Sequence, residues 1–238
     1  MEGEGFMVEL LMVRINDKIS PSIIQQDVLP TLSVERQERV RKYRREEDAR
    51  RSIVAEMLIR TIAMDKLKLS NKEIVFGATA YQKPYLIHEE PFHYNLSHSG
   101  EWVVCAANDS PVGADVEQIK PIDYEVARRF FSPSEYAGLM NRPEEERLPF
   151  FYRLWTLKES YIKAVGQGLS IPLNSFSCRI SETSGAALIE APGQLYYLRT
   201  YSLDQYMVSV CAMRDNFARP MELQEEALIR RYLNLLNR

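Results

Sequence analysis

The sequence predicts an α+β protein built as two similar halves with a cleft between them. Three observations carry this. Long helical stretches and strand-like runs succeed each other twice along the 238 residues. Leu69-Ser70 leads to Phe76 as Leu169-Ser170 leads to Phe176, and VVCAA near residue 103 returns as VSVCAM near 208. The join is expected near Pro111 to Gly113, giving an N-terminal half of residues 1–112 and a C-terminal half of residues 113–238.

Residues 6–15 alternate loosely and read as an opening strand, after which Pro21 and Pro30 bracket a short helical connection. Ser33 is an N-cap with Glu35 in the first turn. It opens a charged helical stretch towards Lys66 whose apolar stripe takes in Tyr43, Ala49, Ile53, Met57 and Ile62, with a break between Arg44 and Asp48. In FHYNLSHSGEWVVCAANDSPVGADVE, Phe92, Tyr94 and Leu96 alternate with His93, Asn95 and Ser97; WVVCAA is a buried run, and NDSP is a turn between strands. Asp123 caps a short helix, and Ser132-Pro133-Ser134-Glu135 combines a cap, a proline and an acid in the order that starts another. A helix over Glu145 to Val165 stops at Gly166 and Gly168. Strands follow around residues 176–180, 187–190, 196–201 and 207–213, and the tail after Pro220 is amphipathic and helical.

Composition narrows the classes. With 45% hydrophobic and 26% charged residues the chain has an ordinary globular balance. Its longest apolar runs are about five residues, against the ~20 a membrane helix needs. The N-terminus carries acid where a secretory signal needs base, and Glu9 and Arg14 cut its apolar stretch, so a cytoplasmic protein is expected. Cys105, Cys178 and Cys211 stand far apart with no CxxC pair, which points to neither a disulfide frame nor a zinc site. Thirty basic against 33 acidic residues, a net charge of −3, argue against a general nucleic-acid or membrane-surface binder.

Four clusters carry chemistry. Asp115 and Glu117 lie two apart in VGADVE, so on a strand both carboxylates leave one face. Like charges that close repel unless a cation lies between them, and hard oxygen ligands favour Mg²⁺ or Mn²⁺; an exposed strand end would show the same pair. In WTLKESYIKAVGQGLS, Lys163 stands one helical turn beyond Glu159, a spacing that a plain helix-stabilising pair also has. NLSHSG sets two serine hydroxyls and His98 in what reads as a small loop, a composition able to bind phosphate oxygens. Residues 36–51 hold eight Arg or Lys against four acids, a local excess fit for a polyphosphate or for a solvated helix, and Lys83 is held before a proline in YQKPY.

Taken in order, the QKP turn, FHYNLSHSG, VGADVE, RRFFSPSEY and LWTLKESYIKAVGQGLSIPL resemble the Sfp-type 4′-phosphopantetheinyl transferases over nearly the whole chain. The resemblance implies two pseudo-symmetric α+β halves with coenzyme A and Mg²⁺ (or Mn²⁺) at their interface. It implies transfer of the phosphopantetheine arm to a serine of an apo carrier protein, as in peptide- and polyketide-synthase systems, with release of adenosine 3′,5′-bisphosphate. Position by position, Asp115, Glu117 and Glu159 match the metal-binding acids, Lys163 the lysine that reaches the phosphates, and Ser97 and His98 the phosphate loop. Arg36, Arg39, Ser52 and Lys83 fall where coenzyme A contacts are expected, and Glu159 is the candidate base for the carrier serine, directly or through water. Arginines at 36 and 39 replace frequent lysines, and Gln82 replaces a frequent glycine.

Several further expectations follow. Asp115 and Glu159 face solvent, and a carrier docks along the segment from Gly166 to about Leu198, using Leu169, Ile171, Leu173 and Phe176. The duplication makes a monomer. Two competing readings are a metal-dependent nuclease, which DNA cleavage without coenzyme A would favour, and a module that binds coenzyme A or carriers without transfer.

Overall fold

The structure, a computed structural model, describes residues 6–15, 19–181, 184 and 186–237 and, at residue 169, the backbone alone. The chain enters as β1 (Glu9–Arg14), with Leu10 to Val13 all buried, and passes through a π-helical turn (Ile23–Val28) and a 3-10 turn (Leu29–Thr31). Helix α1 (Val34–Val40) starts at the predicted cap, the Ser33 hydroxyl accepting from the Arg36 amide. The chain breaks over residues 41–45 and resumes as α2 (Glu46–Leu67), whose first turn places Glu46, Glu47 and Asp48 at the positive end of the helix dipole. From Ser52 to Met64 every residue of α2 is buried, a wider contact than the single stripe read from the sequence, because a sheet covers one side and the C-terminal tail another.

A hairpin of β2 (Phe76–Ala78) and β3 (Pro84–Leu86) precedes β4 (His93–Ser99) and β5 (Trp102–Asn108). Strand β5 is buried at all seven positions and pairs antiparallel with β1 on one side and β4 on the other. Its two faces serve two cores. Val103, Cys105 and Ala107 pack with the α2 side, whereas Trp102, Val104 and Ala106 pack against Val112, Ala114, Val116 and Val208 of the second half. The continuous apolar run is thus a strand covered on both faces.

The second half comprises β6 (Val112–Gln118), α3 (Glu125–Phe130), α4 (Pro133–Met140), α5 (Glu144–Val165), β7 (Arg179–Ile180), β8 (Ala186–Ala191), β9 (Gln194–Leu203) and β10 (Tyr206–Ala212). Its sheet runs β6-β10-β9-β8-β7, antiparallel throughout. Ser132 and Glu135 form the expected capping box at α4, and α5 ends at Gly166 with φ +79°. The repeat is visible in space: each half lays a 22-residue helix, α2 or α5, on a sheet, and Cys105 and Cys211 each enter the core beneath their own helix. All three cysteines are free thiols.

The tail does not stay with the half it follows. Strand β11 (Met221–Gln224), which the sequence reading did not foresee, pairs parallel with β1, so the first sheet runs β11-β1-β5-β4. Helix α6 (Glu225–Leu236) then packs on α2, with Leu228, Ile229 and Tyr232 in the first half's core. The fully buried Glu225 carboxylate receives both Nε and Nη2 of Arg50 at 3.0 Å, a bidentate tie between tail and α2. Among the described residues no helix is long and apolar enough to cross a membrane.

Candidate active site

The seam between the halves is built by two strands that touch through side chains. Strand β6 is the edge of its sheet, and the amides it does not spend on β10 need acceptors. Strand β4 supplies them at every second residue: Ala114 N–H donates to Asn95 Oδ1 (2.9 Å), Val116 N–H to Ser97 Oγ (3.4 Å) and Gln118 N–H to Ser99 Oγ (3.1 Å). The two hydroxyls pass their own protons to the acids, Ser97 to Asp115 Oδ1 (2.9 Å) and Ser99 to Glu117 Oε2 (3.1 Å). The strand expected from the alternation up to Ser97 thus runs on to Ser99 and takes in His98, where a small loop was expected, and the chain turns only at Gly100, because its alternate polar residues have an edge strand to satisfy. Ser97 lies under the acids, and His98 takes the opposite face of β4.

Helix α5 closes on the same strand. A Cβ on Gly113 would stand 2.0 Å from the Ser160 carbonyl oxygen and 2.4 Å from the Ala164 amide, so the glycine of VGADVE permits an approach no other residue would. The approach brings Lys163 Nζ to 2.6 Å from Asp115 Oδ1 and 3.1 Å from Ser97 Oγ. Asp115 is only 3% exposed, contrary to the solvent-facing position expected, because β4 lies across the β6 edge and α5 covers the remaining side. Glu117 and Glu159 are half-buried.

The electrostatics follow from that packing. Burial pushes the Asp115 carboxyl up, opposed by Lys163 and by the Ser97 hydroxyl. Burial likewise raises Glu117, with added repulsion from Asp115 and Glu159, and raises Glu159, with added repulsion from Asp115. The three acids predicted from two distant segments thus feel one another. Among the described residues, Asp115 Oδ2 is a buried oxygen with no hydrogen-bond partner. No three His, Cys, Asp or Glu side chains among those residues already stand together as a metal-ligand set, and Lys163 holds the Oδ1 side of Asp115. An all-carboxylate donor set with an orphaned buried oxygen fits a hard divalent cation in chemistry.

The first half contributes a second cluster. Arg36, one of the expected coenzyme A contacts, turns its Nη1 to another, the Ser52 hydroxyl, at 2.7 Å, and its Nε to Glu56 Oε2 at 2.9 Å. Glu56, 2% exposed, also receives the Ser33 amide and hydroxyl and Arg60 Nε. Burial alone would raise its carboxyl, but these donors hold it below the ordinary value. Arg39 is exposed one turn on. The sequence reading missed Glu56 and Arg60, although Ser52, Glu56 and Arg60 follow each other at the four-residue spacing of one helix face. It also missed Asn95 and Ser99, which period two from Ser97 would have found, and Arg51, whose Nη1 donates to the Gly100 carbonyl at 2.7 Å. His98 lies within the field of Arg51 and Lys163; partial burial first, and then these cations, pull its imidazole below the ordinary value.

Lys83 and the expected docking segment both have partners inside the protein. The Lys83 ammonium is held by the Ala164 carbonyl at 3.0 Å and the Val112 carbonyl at 3.3 Å. Leu173 is buried, and Ile171 and Phe176 pack against the same core, so they do not form the open docking face expected; the Leu169 side chain lies outside the described residues. The reason is Lys158: its buried ammonium takes the carbonyls of Leu173 (2.8 Å) and Phe176 (2.6 Å) and pairs with Glu135, drawing that segment inward.

Comparison with known proteins places the chain in a family. A family model described as the 4′-phosphopantetheinyl transferase superfamily matches residues 111–211, and another, described as the N-terminal part of 4′-phosphopantetheinyl transferase, matches residues 21–110. A 4′-phosphopantetheinyl transferase of Bacillus subtilis is 40% identical over 200 residues, covering 83% of this chain and 89% of its own. The 4′-phosphopantetheinyl transferase psf-1 of Bacillus pumilus is 40% identical over 214 residues, 88% and 90% of the two chains. The 4′-phosphopantetheinyl transferase gsp of Aneurinibacillus migulanus is 39% identical over 170 residues, 71% and 70%. The chain belongs to the 4′-phosphopantetheinyl transferase superfamily, and within it to the Sfp type.

Proposed function

We propose that this enzyme moves the 4′-phosphopantetheine arm of coenzyme A to a serine hydroxyl of an apo carrier protein and releases adenosine 3′,5′-bisphosphate, with Mg²⁺ or Mn²⁺ held by Asp115, Glu117 and Glu159. The observation that carries the reading is the Asp115 carboxylate, with Oδ1 neutralised by Lys163 and Oδ2 buried and without a hydrogen-bond partner among the described residues. Acids that raise one another's proton affinity are relieved when a dication joins them. A bound ion would neutralise pyrophosphate oxygens and the charge that shifts to the leaving bisphosphate.

The chain's own residues supply the rest. Lys163, already bonded to Asp115 and Ser97, presents its third proton to the phosphates. His98, held neutral by its surroundings, donates a ring N–H without adding charge. Arg36, aimed by Glu56 and Ser52, and Arg39 on the exposed side of α1 receive the outer phosphates of coenzyme A. Glu159, whose raised carboxyl takes a proton more readily than an ordinary glutamate, accepts the carrier serine's proton. The nucleophile comes with the partner, so the enzyme needs no nucleophilic serine of its own. One chain supplies both sides of the seam, which supports a monomer as the working unit.

Mixing the protein with Mg²⁺, coenzyme A and an apo peptidyl carrier should add one phosphopantetheine to the carrier by intact mass. Calorimetric binding of coenzyme A with the carrier left unmodified would overturn the transfer.

A further inference from the structure

Lys83 belongs to the first half, in the turn between β2 and β3, yet its side chain crosses the seam and ends on two backbone oxygens of the second. Val112 opens β6, the strand of Asp115 and Glu117; Ala164 lies in the last turn of α5, beside Lys163. The Ala164 carbonyl is among the last four of its helix, which have no partner within it, and the negative end of a helix dipole favours a cation there. The path of the stem is built in: a Cβ on Gly166 would stand 2.7 Å from Lys83 Cδ, so the left-handed glycine that ends α5 also clears the way for the lysine. Gly113, which lets β6 and α5 come together, is the next residue after Val112. The ammonium therefore sits where the strand and the helix of the candidate cation site cross. Burial there pulls it down to about 8 from an ordinary lysine value, as expected of a group withdrawn from water.

We propose that Lys83 is a positioning residue that ties the start of β6 to the end of α5 and so sets Asp115 against Glu159 and Lys163, rather than a ligand of coenzyme A. This rests on the reading of Asp115, Glu117 and Glu159 as cation ligands. A ligand of coenzyme A and a positioning residue leave different traces. Loss of a ligand raises KM for coenzyme A, while loss of a spacer weakens the cation site and lowers kcat.

The test uses the full chain. Mn²⁺ binding without coenzyme A is followed by electron paramagnetic resonance in the wild type, Lys83→Met, Lys83→Arg and Glu159→Gln, together with steady-state transfer. Lys83→Met keeps the stem over Gly166 and removes the donors. It should weaken Mn²⁺ binding by about tenfold or more, as loss of an outer-shell support does. It should lower kcat by a similar factor with KM for coenzyme A within about twofold of wild type, and Lys83→Arg should recover most of both. A raised KM with Mn²⁺ affinity and kcat unchanged would make Lys83 a coenzyme A ligand and end the proposal. Wild-type Mn²⁺ binding that ignores Glu159→Gln would overturn the ligand assignment and this inference with it; binding that needs Glu159 but ignores Lys83→Met would overturn this inference alone. Should Lys83→Met fail to fold, Lys83→Gln, which keeps a donor on a shorter stem, carries the same comparison.

Discussion

Ser97 Oγ gives its proton to Asp115 Oδ1 at 2.9 Å and takes the Val116 amide at 3.4 Å, so one hydroxyl of the first half serves both the edge and the central acid of the second. Replacing it leaves a buried amide unpaired and the carboxylate with one donor fewer. Ser97→Ala should cost about 1–3 kcal/mol and push the Asp115 carboxyl further up. Urea denaturation of the metal-free protein reads this directly, and an unchanged midpoint would contradict the role given to the hydroxyl.

The acids at the seam set a pH-dependent stability. Burial, aided by mutual repulsion, raises Glu117 and Glu159 above the ordinary carboxylate range. A group raised in the folded state adds stability that is complete below its unfolded value and is lost as pH climbs through its folded value. Glu159→Gln, which never ionises, should therefore match the metal-free wild type at low pH and melt higher than it near neutrality. Added Mg²⁺ should raise the wild-type melting temperature and leave the variant's nearly still. Parallel calorimetric scans across pH decide the matter.

Lys158 and Glu135 form a buried pair at 2.7 Å, with the lysine fully enclosed. Lys158→Met should destabilise by about 3–5 kcal/mol, since it strands a charge in the core. The double variant Lys158→Met/Glu135→Gln should regain part of that loss, less the capping and Cys178 amide bonds that Glu135 also makes. An uncoupled pair would leave the double variant less stable than Lys158→Met by the full cost of Glu135→Gln measured alone.

Gln82 holds φ +63° in the turn before Lys83, where the resembling family often has glycine. The left-handed backbone costs a side-chain-bearing residue about 1–2 kcal/mol, offset in part by the unfolded-state freedom that glycine adds. Gln82→Gly should stabilise modestly, by about 0.5–1 kcal/mol after that offset. A lower urea midpoint would show that the Gln82 side chain contributes more than its backbone costs.

Arg36 needs its planar fork to reach Ser52 and Glu56 together. An ammonium in its place would keep the charge and lose one of the two bonds, so Arg36→Lys should raise KM for coenzyme A several-fold while sparing kcat. The increase should shrink with 3′-dephospho-coenzyme A if the guanidinium meets the 3′-phosphate, and equal increases would place its contact elsewhere.

Local signals made much of the fold legible. Ser33 and Ser132 announced their helices through capping chemistry, Gly166 announced an end, and the alternation at Phe92 to Ser97 announced a strand. What the sequence concealed was which neighbour each face would meet. Strand β11, Met221-Glu222-Leu223-Gln224, alternates over only four residues, too short a run to read as a strand, and it pairs because β1 offers it an open edge. Asp115 read as solvent-facing because a charged residue ordinarily is; the side chains of β4 laid over β6, with α5 on the remaining side, explain its burial. Glu56 was hidden for the same reason: its partners come from α1 and its own helix, gathered by a fold that spacing alone does not draw.

The tail that returns to α2 reverses the usual order of assembly during synthesis. Domains generally fold as they emerge, the earlier one first, yet here residues 9–108 lack a flanking strand and part of their core until β11 and α6 have been made. The later half, whose strands end at Ala212, is translated in full before β11 and α6, while the first sheet still has its β1 edge open. A nascent chain paused between residues 212 and 221 would therefore be at its most exposed to misassociation, and a chaperone that binds bare apolar surface would find its substrate there.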